Sequence, residues 1–244
     1  MLVGHVRVSS IIRSHRLIYK PGFTFLLFGL LMLVACTEPV PDVMEPQTAA
    51  LSPSAEEIHQ RALVLDAHAD IEIPGKESRY AGADGRSQVA PDKMRAGGVD
   101  AVVMAVAVGP GPRDAQGYAE SRAKAEEELA AVIKLTEDPS NNLVLALSAD
   151  ELIGAHRSGK GALILGFQNA RILGTDVSVL DSFFDAGVRV FALTHMGHND
   201  FADSSRPIYI AEQGAHEPVE EHGGLSELGR SAIKRINELG GIID

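Results

Sequence analysis

The chain has 244 residues, 45% of them hydrophobic, with 33 acidic against 22 basic side chains and a formal net charge of −11. That acidity argues against a nucleic-acid partner, because phosphate contact needs clustered Lys and Arg. A single cysteine excludes an intramolecular disulfide, and the part that reads as folded is one domain's worth of chain.

The first 22 residues carry Arg7, Arg13, Arg16 and Lys20 and no acidic group, and an apolar run, FTFLLFGLLMLVA, follows over 23–35. A basic start, a short apolar core and small residues at its end describe a secretory signal peptide over 1–35. The run is short for a membrane span, which needs about 20 apolar residues. Its ending, LVAC (33–36), resembles the lipobox of bacterial lipoproteins. That resemblance implies cleavage before Cys36 and acylation there, giving an exported protein lipid-anchored to the cell envelope, facing periplasm or exterior. An uncleaved signal anchor is the competing reading. Residues 36–56, rich in Pro, Ser and acidic side chains, read as a flexible tether, and 57–244 as the folded domain.

Within that domain, 62–68 (ALVLDAH) and the almost wholly apolar 99–108 read as strands. The Ala-, Glu- and Lys-rich stretch 114–137 reads as a helix. A short strand over 141–148, a helix over 149–159 and a strand over 162–168 follow. A helix over 176–187 and a strand over 188–195 come next. After a long connection, 225–240 reads as a helix that starts near Ser226 and stops at Gly240. The last four residues, GIID, begin another strand.

Apolar strands alternating with amphipathic helices predict a parallel sheet covered on both faces, either an open doubly wound sheet or a (β/α)8 barrel. The only Gly-rich strand end, VGPGPRD (108–114), has prolines where a phosphate cradle needs backbone donors, so it reads as a loop. The polar residues fall at the ends of three separate strands: Asp66, His68 and Asp70; Gln168 and Asn169; Thr194 and His195. A TIM-type barrel builds its site from such ends, which favours the barrel. About 188 residues are available where a barrel takes about 250, so the expectation is a barrel truncated after about five-eighths.

His68 and Asp70 form an H-x-D pair on one strand face, an imidazole and a carboxylate suited to a divalent ion. Asp66, on the same face, reads as a partner of His68 or a buried hydrogen-bonded carboxylate. The bland alternative is a His and an Asp capping the strand-to-loop turn. His59 and His156 read as surface groups. The connection from 196 to 224 is too long for a plain turn. It is either a solvated insertion or a wall of the substrate pocket, with Asn199 and Asp200 as its polar contacts and with His198, His216 and His222 in or beside it.

In order along the chain, DAHADIEIP (66–74), GFQNA (166–170), FALTH (191–195), HGGLSELGR (222–230) and LGGIID (239–244) resemble the membrane dipeptidase family of zinc peptidases. The resemblance implies a (β/α)8 barrel with two zinc ions that hydrolyses dipeptides. It implies that His68 and Asp70 are metal ligands and that His195 binds the substrate carbonyl and stabilises the tetrahedral intermediate. Gln168 stands where the family commonly has a metal-bridging Glu, which leaves one ion or two open. The family's remaining histidine ligands have no counterpart here, so a second reading of a different class stands beside the first. In it the chain is a non-catalytic remnant that is lipid-anchored and binds a metal or a partner. Another amidohydrolase with a different leaving group would also suit the strand-end chemistry.

Overall fold

The computed structural model describes residues 52–211 and 213–244. The leader and Cys36 lie outside the described residues. Helix α1 (Ala55–Arg61) starts two residues inside the segment read as tether. Ser54 and Glu57 form a reciprocal capping box there, with Ser54 N–H donating to Glu57 Oε2 at 2.7 Å.

Strand β1 (Leu65–Asp70) leads through a long loop to α2 (Pro91–Gly97), then β2 (Ala101–Val106) and the long helix α3 (Ala115–Glu137). Next come β3 (Leu143–Leu145), α4 (Ala149–Arg157), β4 (Gly161–Phe167), α5 (Val179–Asp185) and β5 (Val188–Phe191). The long connection carries a small hairpin, β6 (Tyr209–Ile210) and β7 (Ala215–His216). Helix α6 (Glu227–Leu239) and β8 (Ile242–Ile243) complete the order. Helix ends follow side-chain chemistry: Asp114, Ser148 and Ser226 each accept a backbone N–H at an N-cap, and Gly240 turns left-handed after α6.

The main sheet runs β1-β2-β4-β5-β8, every pairing parallel. An open doubly wound sheet reverses its direction of growth at a switch point. Here each strand on the path is laid on the same side of the one before, with helices between, which is the winding of a (β/α) barrel. Because β2 occupies one edge of β4, β3 and β5 share the other: β3 pairs with residues 161–163 and β5 with 165–167. The core is apolar and tight, with Phe167 edge-on to Phe191 and Phe183 at centroid distances of 5.1 and 5.9 Å.

Of the two histidines that the sequence places on the surface, His59 is exposed as expected and touches the end of α2, while His156 is half-buried on the sheet's N-terminal side. His59 Nε2 lies 3.3 Å from the Gly97 carbonyl. His156 Nδ1 lies 3.0 Å from Asp100 Oδ1, while the other oxygen of Asp100 accepts the Val64 N–H.

Candidate active site

Parallel strands bring all their C-terminal ends to one rim. His68 and Asp70 come from β1, Gln168 follows β4 directly, and His195 lies four residues past β5. All four line one open cavity of about 430 Å³, along with Asp66, Tyr80 and Gln88. His68 Nε2 and Asp70 Oδ1 are 3.5 Å apart. That spacing suits two ligands of one ion and is loose for a direct hydrogen bond. Gln168 Nε2 donates to the same Asp70 oxygen at 3.4 Å. The exposed His195 ring lines the cavity and has no hydrogen-bond partner among the described residues.

Asp66 does not reach the His68 ring. Its Oδ1 accepts the His68 backbone N–H at 3.1 Å, where the β1–β2 register slips between Asp66 and Ala69. It is a hydrogen-bonded carboxylate, half-buried instead of buried as the second reading had it, and it sits at the bulge beside His68.

Asn199 requires a correction. It is 1% exposed and spends its whole amide on scaffolding. Its Nδ2 donates to Asn169 Oδ1 at 2.9 Å and to the Leu193 carbonyl at 2.7 Å, and its Oδ1 accepts from Phe201 and Ala202 N–H. A buried amide satisfied at all four positions holds the loop and offers nothing to a ligand. Asp200 is likewise engaged, accepting the Tyr118 hydroxyl at 2.7 Å; burial first and then this bond hold the phenol up at about 12.

The long connection is held by its own hydrogen bonds, although most of its described residues from 211 to 224 are exposed to solvent. Asp203 accepts backbone N–H from Glu221, His222 and Gly224, and Glu217 accepts from His198 and Ile208. His198 is buried, its Nε2 2.8 Å from the Pro218 carbonyl and its Nδ1 accepting Ser204 N–H. His222 Nε2 sits 2.8 Å from the Asn199 carbonyl, and His216 packs edge-on against Tyr209. None of the three turns toward the rim.

The loop after β2 is held from below. Arg171, only 8% exposed, donates to the carbonyls of Gly109, Pro112 and Gly117. Sequence reasoning passed over Arg171 because a single Arg between Ala170 and Ile172 belongs to no motif. It also passed over Arg79, Tyr80 and Lys124, which border the rim, because neither a loop nor a charged helix gives them a periodic signal.

Residues 53–244, most of the chain, match the membrane dipeptidase family, peptidase family M19. The chain belongs to the membrane dipeptidase family. It is 36% identical over 89 residues to dipeptidase aclJ of Aspergillus oryzae (strain ATCC 42149 / RIB 40), covering 36% of this chain and 19% of that protein. It is 33% identical over 105 residues to dipeptidase tcpJ of Claviceps purpurea (strain 20.1), covering 43% and 22%. Its fold superposes on the probable dipeptidase PvdM from Pseudomonas aeruginosa with a TM-score of 0.67 and 31% identity, covering 78% of this chain and 48% of that one. A second solved relative, dipeptidase AC, described as a metallopeptidase, shares the fold at a TM-score of 0.58 and 18% identity. The chain thus spans about half the length of PvdM, and its alignments reach about a fifth of the fungal proteins.

Membership in a metallopeptidase family implies a metal ion. The rim fits one in part. His68 and Asp70 converge as an imidazole and carboxylate pair, and the amide of Gln168 adds a neutral oxygen if turned. Among the described residues no three His, Cys, Asp or Glu side chains are arranged so that they could hold a metal ion.

Proposed function

We propose that this cleft serves the hydrolysis of dipeptides, with zinc held by His68 and Asp70 and with His195 facing the scissile carbonyl. The observation that carries the proposal is the convergence of side chains from β1, β4 and β5 on one cavity in a chain of this family. A divalent ion bound there supplies Lewis-acid polarisation of the carbonyl and an acidified water. The remaining steps belong to the protein. Asp70, oriented by the Gln168 amide, presents one oxygen beside the His68 nitrogen. His195, with no competing partner, donates to the oxygen that becomes negative as the carbonyl carbon turns tetrahedral. Loss of such a donor costs about 10²–10³ in kcat. Because Gln168 is neutral, it does not offset repulsion between two cations about 3.5–4 Å apart, so one tightly held zinc is the stoichiometry we assign. On the leader's pattern alone, we read the protein as exported and lipid-anchored through Cys36.

The full chain, loaded with zinc, should hydrolyse Ala-Ala, and His68→Ala should lose both bound zinc by elemental analysis and turnover. Absence of zinc binding in the unaltered chain would defeat this reading. Stoichiometric zinc with no turnover of any dipeptide would favour the second one, a lipid-anchored metal-binding protein without catalysis. The incomplete charged ligand set among the described residues supports that second reading.

A further inference from the structure

The His195 ring lines the rim cavity with no hydrogen-bond partner among the described residues, so its position is set through its backbone. The turn after β5 supplies that hold. The His195 carbonyl accepts the Ser204 hydroxyl at 2.9 Å, and the hydroxyl oxygen accepts the Arg206 N–H at 3.0 Å. A hydroxyl has one proton to give, and this one is spent on His195. The backbone N–H of Ser204 donates in turn to His198 Nδ1 at 3.0 Å.

His198 anchors this series of bonds. Its ring is fully buried, and Ser204 is 4% exposed. An Nδ1 that accepts an N–H carries no proton of its own, because a protonated nitrogen there would meet Ser204 donor to donor. The proton of the neutral ring therefore sits on Nε2, which donates to the Pro218 carbonyl at 2.8 Å. The carboxylates around the ring are occupied elsewhere. Asp203 Oδ1 lies 3.4 Å from Nδ1, loose for a hydrogen bond, and already receives the N–H groups of Glu221 and His222. Glu217 receives the backbone N–H groups of His198 and Ile208. Both nitrogens of a buried imidazole are thus committed, one to Ser204 in the turn and one to Pro218 at the far end of the connection. An apolar side chain would fill the same space without the cost of burying two polar atoms, so what the imidazole adds is this two-sided bonding.

We infer that His198 is a positioning residue for His195: neutral, with its proton on Nε2, it fixes Ser204, whose hydroxyl fixes the His195 backbone and with it the direction of the exposed ring. The inference rests on the carbonyl-facing role of His195 in the dipeptide reading and adds what keeps that ring in place. A reacting group displaced by about 1 Å can cost roughly 10²-fold in rate, so a loosened Ser204 reaches turnover without touching His68 or Asp70.

Asn and Gln separate this role from ordinary packing. At position 198, Asn puts an oxygen near the place of Nδ1 and keeps the acceptor for Ser204. Gln puts its amide near the place of Nε2 and keeps only the donor for Pro218. The test follows the His195 ring by NMR in the full, metal-free chain, its signals assigned by their loss in His195→Ala. They should shift or broaden in His198→Gln and in Ser204→Ala, and stay unchanged in His198→Asn. Nitrogen shifts of the His198 ring at pH 7 should show Nε2 protonated and Nδ1 bare. A proton on Nδ1 overturns the inference, as do His195 signals that move in His198→Asn or hold still in His198→Gln or Ser204→Ala. Should His198→Gln fail to fold, Ser204→Ala decides, since it keeps the buried ring and its bond to Pro218. In the zinc-loaded chain, kcat for Ala-Ala per bound zinc should fall about tenfold to hundredfold in His198→Gln and Ser204→Ala and recover in His198→Asn. No turnover in the unaltered chain defeats the dipeptide reading and leaves the ring signals to decide the positioning. Turnover that stays level while those signals move overturns the positioning role and keeps the dipeptide reading.

Discussion

At Gln168 an amide donates to the Asp70 carboxylate over 3.4 Å, so the contact that orients a proposed metal ligand carries no charge of its own. Gln168→Glu keeps the reach of the side chain and changes only that charge. Without metal, two carboxylates would then share one hydrogen-bonding site, and like charges at that distance repel. With zinc bound, the added negative charge becomes a ligand. Gln168→Glu should therefore lower the melting temperature of the metal-free chain and raise zinc affinity by roughly tenfold or more, about 1.4 kcal/mol. Calorimetric zinc titration and thermal melts check both signs. A fall in both quantities would mean that Gln168 serves only packing. The sequence made His68, Asp70, Gln168 and His195 legible because each lies in the C-terminal part of a strand or just beyond an apolar strand run, where a polar residue is conspicuous. Asn199 was misread for the opposite reason. Its sequence neighbours are polar, and only the fold shows that its amide is enclosed by Asn169, Leu193, Phe201 and Ala202.

The elements themselves were largely written in local chemistry, since caps and stops act within a few residues. Ser226 opens α6 because its hydroxyl accepts the Gly229 N–H, and Gly240 closes it because a residue without a Cβ turns left-handed there at little cost. The connection between β5 and α6 was not legible, because its order comes from carboxylates gathering backbone donors many residues away. Asp203 is the centre of that order. Burial pushes its pKa up, but N–H donation from Gly224, Glu221 and His222 outweighs it and brings the group from 3.8 down to about 2. A carboxyl whose folded pKa is depressed stabilises the fold above its unfolded value and loses that contribution as pH falls through the folded one. Asp203→Asn should thus unfold at lower urea than the unaltered chain at pH 7. The gap should be full down to about pH 4 and close between about pH 4 and 2. Comparing the two chains cancels the other carboxylates that titrate in the same range. A gap independent of pH would show that the three donors do not discriminate charge at this position.

Across the whole molecule, the strand order matters more than any one helix. Growth in one direction puts the ends of β1, β4 and β5 on a shared rim, so residues nearly 130 positions apart, His68 and His195, border one cavity. Along the path β1-β2-β4-β5-β8, β1 and β8 each pair on one side among the described residues, and Leu65, Ile242 and Ile243 are exposed there. A ligand that pulls β1 toward that rim should therefore stabilise more than its own loop. Zinc bound to the folded chain at a hundredfold excess over its Kd adds about 2.7 kcal/mol to stability by mass action. For a domain of this size that corresponds to roughly 5–10 °C in melting temperature. The shift should reverse with a chelator and vanish in both His68→Ala and Asp70→Ala, whose metal-free melts give the reference. If zinc raises the melting temperature equally in those variants, the ion is held elsewhere on this acidic surface, and the β1 pair is the turn cap that the H-x-D pattern also allows.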